Sequence, residues 1–259
     1  MTKTIAVLAL TFALSAATLA STGAIVETWK YDQETKMLSL KIVNTSGRDI
    51  TAYNMAIILK FADGTTDALP GGIAPSERME EALGSVIMAQ MNSDTALQQN
   101  AHGFAAGSTK YDSFPTMKDV ADVHAVVNVV IYSDCTAEVL PGGERAFKQL
   151  MAVRKAPLLA MQKVSEVAKK ALADAVDPNP GVTAKAELKQ LVLAGGEKHY
   201  TPEDVENYEE MTLRQALSDL DRMATRISLQ KYVQETDRRI ELTLPHTQIS
   251  RVPQIEPGS

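Results

Sequence analysis

The chain has 259 residues, of which 45% are hydrophobic and 22% are charged, values that are ordinary for a soluble globular protein. This length allows one large domain or two of usual size. With one cysteine, four histidines and 5% aromatic residues, the composition excludes a disulfide scaffold, a multi-cysteine zinc site and a multi-haem protein.

The N-terminal segment has the order of a secretory signal peptide. After Lys3, residues 4–26 carry no charge, and this run changes from apolar residues to small ones. Cleavage after Ala20 or after Ala24 satisfies the requirement for small residues at the cleavage site. We therefore assign residues 1–20 to a signal peptide and expect an exported protein, periplasmic or extracellular. The alternative is an uncleaved membrane anchor, because about 20 apolar residues can span a bilayer.

The charges are distributed unevenly along the chain. Residues 21–143 contain 8 basic and 15 acidic side chains, whereas residues 144–259 contain 17 of each. Neither half contains a basic stripe, so the sequence predicts no nucleic-acid partner and no binding to anionic lipid. The hydrophobic period changes at the same position, which indicates a boundary there.

Before this boundary the chain has the pattern of β-strands. Leu38, Leu40 and Ile42 alternate with polar residues, as in a strand that is buried on one face. Residues 44–47 have the composition of a turn. The strand-like runs are residues 25–31, 37–43, 50–61 and 120–132, and the last two are apolar enough to be central strands.

An internal repeat follows two of these strands. Residues 61–72 recur as residues 132–143, with six of the twelve positions identical. An Asp-Gly pair between extended segments favours a tight hairpin, because the turn requires positive φ. We predict two similar strand–turn–strand units, with Gly64 in the first turn and Cys135 at the equivalent position of the second.

The remaining segments have mainly helical spacing. Residues 76–91 predict a short helix inserted between strands. After Gly143, apolar stripes predict helices that pack on each other as a hairpin, because neither long helix can bury its stripe alone. The segments are residues 144–175 with either a kink or a division into two consecutive helices at Pro157, residues 184–194, a helix from Thr201 to about Thr236, and a final strand at residues 239–244.

Part of the first half resembles a known type of module. Residues 38–65 combine a strand, an Asn-Thr-Ser-Gly turn, a long strand and an aromatic-x-Asp-Gly turn. In this order they resemble the FxLYD-type immunoglobulin-like (Ig-like) modules of uncharacterised secreted bacterial proteins. The resemblance covers about 28 residues and implies an extracytoplasmic β-sandwich of non-catalytic or unknown role. It carries no site residues.

The sequence thus predicts a two-part α+β fold. Its parts are a signal peptide (1–20), an Ig-like antiparallel β-sandwich with a short inserted helix (21–143), a C-terminal α-helical hairpin (144–245) and a disordered tail (246–259).

Cys135 is the one candidate interaction residue. As the only cysteine, exposed at a turn in an oxidising compartment, it can be a reactive thiol or the site of an intermolecular disulfide. The alternative is a cysteine without a role, since no histidine lies near it in the sequence. The pattern predicts no catalytic residue.

The other polar candidates do not form a recognisable motif. The sequence therefore predicts no metal and no cofactor, and the Asn-Thr-Ser sequon at residue 44 is explained by a turn. We interpret Trp29 as a core residue. The residues considered are the scattered His102, His124, His199 and His246, and two groups without calcium-loop spacing, Asp63, Thr65, Asp67 and Asp134, Thr136, Glu138.

Three functional hypotheses remain. The first is an exported, non-catalytic binding or assembly module, with a protein partner or a second copy bound through the helical stripes as in a coiled coil. The second is a small extracytoplasmic enzyme with its site between the β half and the helical half. The third is a helical oligomerisation stalk, which requires residues 144–236 to be apolar on their outer face.

Overall fold

The computed structural model describes residues 22–67, 76–91, 103–194, 205–223 and 225–252. The predicted signal peptide, His102, His199 and the predicted helix start at Thr201 lie outside these residues. Within them the chain has a mixed α+β architecture with antiparallel sheets and five α-helices, which confirms the predicted class.

The strands are β1 (Ala24–Asp32), β2 (Met37–Asn44), β3 (Ile50–Phe61), β4 (Thr66–Asp67), β5 (Ser76–Glu81), β6 (Thr109–Pro115), β7 (Val120–Tyr132), β8 (Thr136–Val139) and β9 (Ser250–Arg251). The helices are α1 (Leu83–Met91), α2 (Glu144–Ala173), α3 (Pro180–Ala194), α4 (Val205–Leu220), α5 (Arg226–Thr243) and a 3₁₀ helix (Leu244–Thr247).

Two sheets share one apolar core. The first sheet has the order β1-β2-β6, and in the second β3 pairs with β4 and β5 on one side and with β7 on the other, followed by β8 and β9. All these pairs are antiparallel except β8 with β9. The predicted face of Leu38, Leu40 and Ile42 is fully buried in this core, and Trp29 packs against it, as predicted.

The second sheet is covered on its other face by α2. Val129 and Ile131 of β7 pack there against Ala146 and Leu150, and all four are at most 1% exposed. Strands buried on both faces need apolar residues at consecutive positions, which explains the continuous apolar runs of β3 and β7.

The C-terminal half of α2 belongs to a helical core of its own. Val164 and Ala168 of α2 pack with Leu188 of α3, Leu213 of α4 and Leu229 of α5. The stripes of these helices therefore bury one another within the chain. No helix in the described part of the chain combines the length and apolar character that a bilayer crossing requires.

The predicted repeat is confirmed as two equivalent hairpins, β3–β4 and β7–β8. Both turns have positive φ, +81° at Gly64 and +62° at Cys135. In each turn an aspartate accepts a hydrogen bond from the backbone N–H two residues later, Asp63 at 2.9 Å and Asp134 at 3.0 Å.

One predicted element is wrong in its first half and another is wrong throughout. Residues 76–81 form strand β5 and not a helix, because their backbone pairs with the part of β3 that the two-residue β4 leaves open. Only residues 83–91 of the predicted helix are helical. Residues 239–244 are not a strand, because α5 continues to Thr243. A six-residue alternation is a weak signal, and extending a helix already capped by Thr225 requires no new nucleation.

The helical half also differs in detail from the expected hairpin. α2 continues through Pro157. The single long last helix is two helices, because α4 ends at Leu220 and α5 begins after the capping box of Thr225 and Ser228. The tail predicted at 246–259 is ordered up to residue 252, because Ser250 and Arg251 pair with β8. Residues 253–259 lie outside the described residues.

Candidate functional site

A buried arginine joins the second sheet to the helices. The side chain of Arg154, on α2, is 0% exposed and lies beside the apolar contacts of Leu150. Its Nε donates to Glu81 Oε2 at 2.6 Å, and its Nη2 donates to Thr51 Oγ1 at 2.6 Å and to Glu81 Oε1 at 3.2 Å. A buried guanidinium requires such partners, so Arg154 fixes α2 against both β3 and β5.

Cys135 lies at the same end of the second sheet, in the turn between β7 and β8. Its Sγ is 3.5 Å from Nδ1 of His246 in the 3₁₀ helix, although the two residues are 111 positions apart. The Cys135 carbonyl accepts from the N–H of Ser250 at 3.0 Å, so the C-terminal segment holds the turn in place. The structure thus gives Cys135 the histidine neighbour that the sequence did not reveal.

Burial keeps both members of this pair neutral. It is the largest cause that raises the pKa of the Cys135 thiol, with a smaller contribution from Asp134, while the charge of Arg154 opposes the shift. Burial, assisted by Arg154, lowers the pKa of His246 below its usual 6.5. At neutral pH the pair is therefore a thiol beside a neutral imidazole, and not a thiolate beside an imidazolium.

A second polar cluster surrounds Arg48 on the other side of the β7–β8 turn. Its guanidinium donates to Thr136 Oγ1 at 2.7 Å and to Glu138 Oε1 at 2.9 Å, and it lies over the Tyr132 ring at 3.5 Å from the centroid. Burial, together with Glu138, raises the pKa of Tyr132 to about 12. Thr136 and Glu138, which the sequence analysis considered as calcium ligands, therefore bind the guanidinium of Arg48.

Other candidates of the sequence analysis either make contacts within the fold or lie at the surface. Asp63 and Thr65 contact Lys118, and His124 is exposed on β7. The Asn44 side chain is 0% exposed and donates to three backbone carbonyls, which confirms its role in the turn. Within the described ranges, no three His, Cys, Asp or Glu residues are grouped so that they could hold a metal ion.

Sequence reasoning missed Arg154, Glu81 and Arg48. One local signal was available for Arg154, because it interrupts the apolar stripe of α2 between Leu150 and Leu158. No comparable signal pointed to Glu81 or Arg48, whose partners are distant in the sequence.

Comparison with known proteins adds little. No family model matches the chain, and no curated protein matches it. A solved structure of a hypothetical protein from Peptoclostridium difficile 630 aligns with a TM-score of 0.28 and 12% identity, over 50% of this chain and 92% of that protein.

Replacing Arg154 by Met is expected to destabilise the fold by about 3–5 kcal/mol, because the Glu81 carboxylate then loses its buried partner. The measurement is urea unfolding of the single variant, of Glu81→Gln and of the double variant. The double variant should recover part of the loss. Additive effects of the two single changes would contradict the coupling of these residues.

Stability should decrease as the pH falls below about 6.5, because the unfolded chain binds a proton at His246 while burial keeps the folded imidazole neutral. Above that pH both states are neutral and the contribution is constant. The measurement is the urea midpoint between about pH 7.5 and about pH 5.5. His246→Gln should flatten this dependence, whereas His124→Gln, which removes an exposed histidine, should not.

Proposed function

We propose that this chain is an exported, non-catalytic binding or assembly module, with an Ig-like β-sandwich followed by helices. The uncharged segment after Lys3 supports export. The sandwich is supported by two mainly antiparallel sheets with a common apolar core and by the FxLYD-type pattern of residues 38–65.

The observation that carries this proposal is the filled junction between the second sheet and α2. An enzyme with its site between the two halves would need open space there. Ala146, Leu150 and Arg154 instead occupy the junction, each at most 2% exposed, and Arg154 is bonded to Glu81 and Thr51. This contact packs α2 firmly against the second sheet, so that the two halves form one unit.

The state of the thiol supports the same proposal. A cysteine nucleophile reacts as the thiolate, and active cysteines have lowered pKa values. Burial shifts the pKa of Cys135 in the opposite direction, and the lowered pKa of His246 disfavours an ion pair with it.

A partner surface on the helices is supported less strongly. The apolar stripes proposed for a coiled coil or a stalk pack against one another in the chain's own helical core, where Leu188 and Leu229 are fully buried. Ile227 on α5 and Val182 and Leu193 on α3 remain more than half exposed. If the module assembles with a second copy, these side chains and the exposed Met211 on α4 are apolar groups available to it.

One observation favours a thiol enzyme as a second candidate function. Cys135 Sγ and His246 Nδ1 lie 3.5 Å apart, the arrangement of a nucleophile and its general base, and the Arg154 charge favours the thiolate. In that case His246 would accept the thiol proton during attack.

The rate of alkylation by iodoacetamide separates the two candidates. For a non-catalytic module we expect Cys135 to react more slowly than free cysteine at neutral pH, with a midpoint above the usual thiol pKa of about 8.5. His246→Gln should change this rate little. A rate above that of free cysteine, lost in His246→Gln, would contradict the proposal and support the enzyme.

Light scattering over a dilution series, with and without reductant, tests assembly with a second copy. We expect an oligomer that dissociates on dilution and persists in reductant, with Cys135→Ser as the matched variant that removes the thiol. Loss of the oligomer both in reductant and in Cys135→Ser would assign assembly to a disulfide. A monomer under all conditions would contradict self-assembly and leave a different partner.

A further inference from the structure

The two possible signal-peptide cleavage sites differ in what they leave on the folded protein. Cleavage after Ala20 retains residues 21–24, whereas cleavage after Ala24 removes them. The sequence satisfies the small-residue requirement at both sites. The structure distinguishes them, because Thr22 and Ala24 are buried in the fold.

Thr22 and Ala24 are part of the folded core. They are 2% and 1% exposed. The Thr22 hydroxyl lies within hydrogen-bond distance of the carbonyl oxygens of Val127 on β7, at 3.1 Å, and of Ala24, at 3.0 Å. Ala24 is the first residue of β1 and pairs with Asn44 on β2. These two residues thus tie β1 to both sheets.

Gly23, between them, is bound through its backbone on both sides. Its N–H donates to Glu138 at 2.7 Å, and its carbonyl accepts from the N–H groups of Thr45 at 2.8 Å and Ser46 at 3.0 Å. A Cβ at this position would clash with the Tyr132 hydroxyl oxygen. Only glycine fits such a close approach, so the segment is matched to its surroundings.

Removal of residues 22–24 would take a hydrogen-bond partner from several groups. Glu138 would lose the N–H of Gly23, and the buried Val127 carbonyl would lose the Thr22 hydroxyl. Unpaired buried polar groups are costly, so a chain that began at Ile25 would be less stable.

We propose that the signal peptide is removed between Ala20 and Ser21, so that the mature chain begins at Ser21 and keeps Thr22–Ala24 as its first sheet contacts. This inference rests on the proposed export. The mature chain would then carry its new N-terminus at Ser21, immediately before the buried Thr22.

The test is intact mass spectrometry of the full chain, expressed in a bacterium and recovered separately from cytoplasm, membrane and periplasm or medium. The expected exported product has the mass of residues 21–259. Ala20→Arg places a large charged side chain at the last position before the cleaved bond and should abolish cleavage after residue 20. The matched control is Leu19→Arg, which adds the same charge at the position where any residue is accepted and should leave processing intact.

Each other outcome is informative. An unmutated exported chain that begins at Ile25, or an Ala20→Arg chain that still begins at Ser21, would overturn the assigned site and leave export standing. An exported chain that keeps Met1 in the membrane fraction would overturn cleavage in favour of an anchor. An unprocessed chain confined to the cytoplasm would overturn the proposed export itself.

Discussion

The buried guanidinium of Arg154 is the constraint on which the arrangement of sheet and helices depends. A charge removed from water must be matched by partners in fixed positions, and Arg154 finds them in Glu81 and Thr51. Glu81 is the last residue of β5, so the ion pair forms only when residues 76–81 run along β3. One interaction therefore selects the strand conformation of β5 and the position of α2 together.

The same contact shows why the two halves are not separate bodies. The change in charge and hydrophobic period falls at residue 143, where α2 begins. The first turns of α2 nevertheless cover the second sheet through Ala146 and Leu150, while its later turns belong to the helical core. Strand β9 then returns to pair with β8. A composition boundary marks a change of local structure here and not a gap between folding units.

Local patterns were sufficient where the determining contacts are local. The alternation of Leu38, Leu40 and Ile42 predicted a buried face, and the repeat predicted two similar hairpins, the first with positive φ at its Asp-Gly turn. The patterns failed at residues 76–81 and 239–244, where short signals were overridden by pairing with β3 and by continuation of α5. Cys135 and His246 could not be associated from sequence, because 111 residues separate them and only the completed fold brings them together.

The two copies of the repeat show how the candidate site arises. In the first copy Gly64 adopts positive φ without strain, in an exposed turn. In the second copy Cys135 adopts the same conformation, which costs a residue with a side chain about 1–2 kcal/mol. Such strain persists only where the surroundings fix the backbone. Here the N–H groups of Ser250 and Val252 bind the carbonyls of Cys135 and Ala137, so the C-terminal segment both holds the strained turn and brings His246 to the thiol.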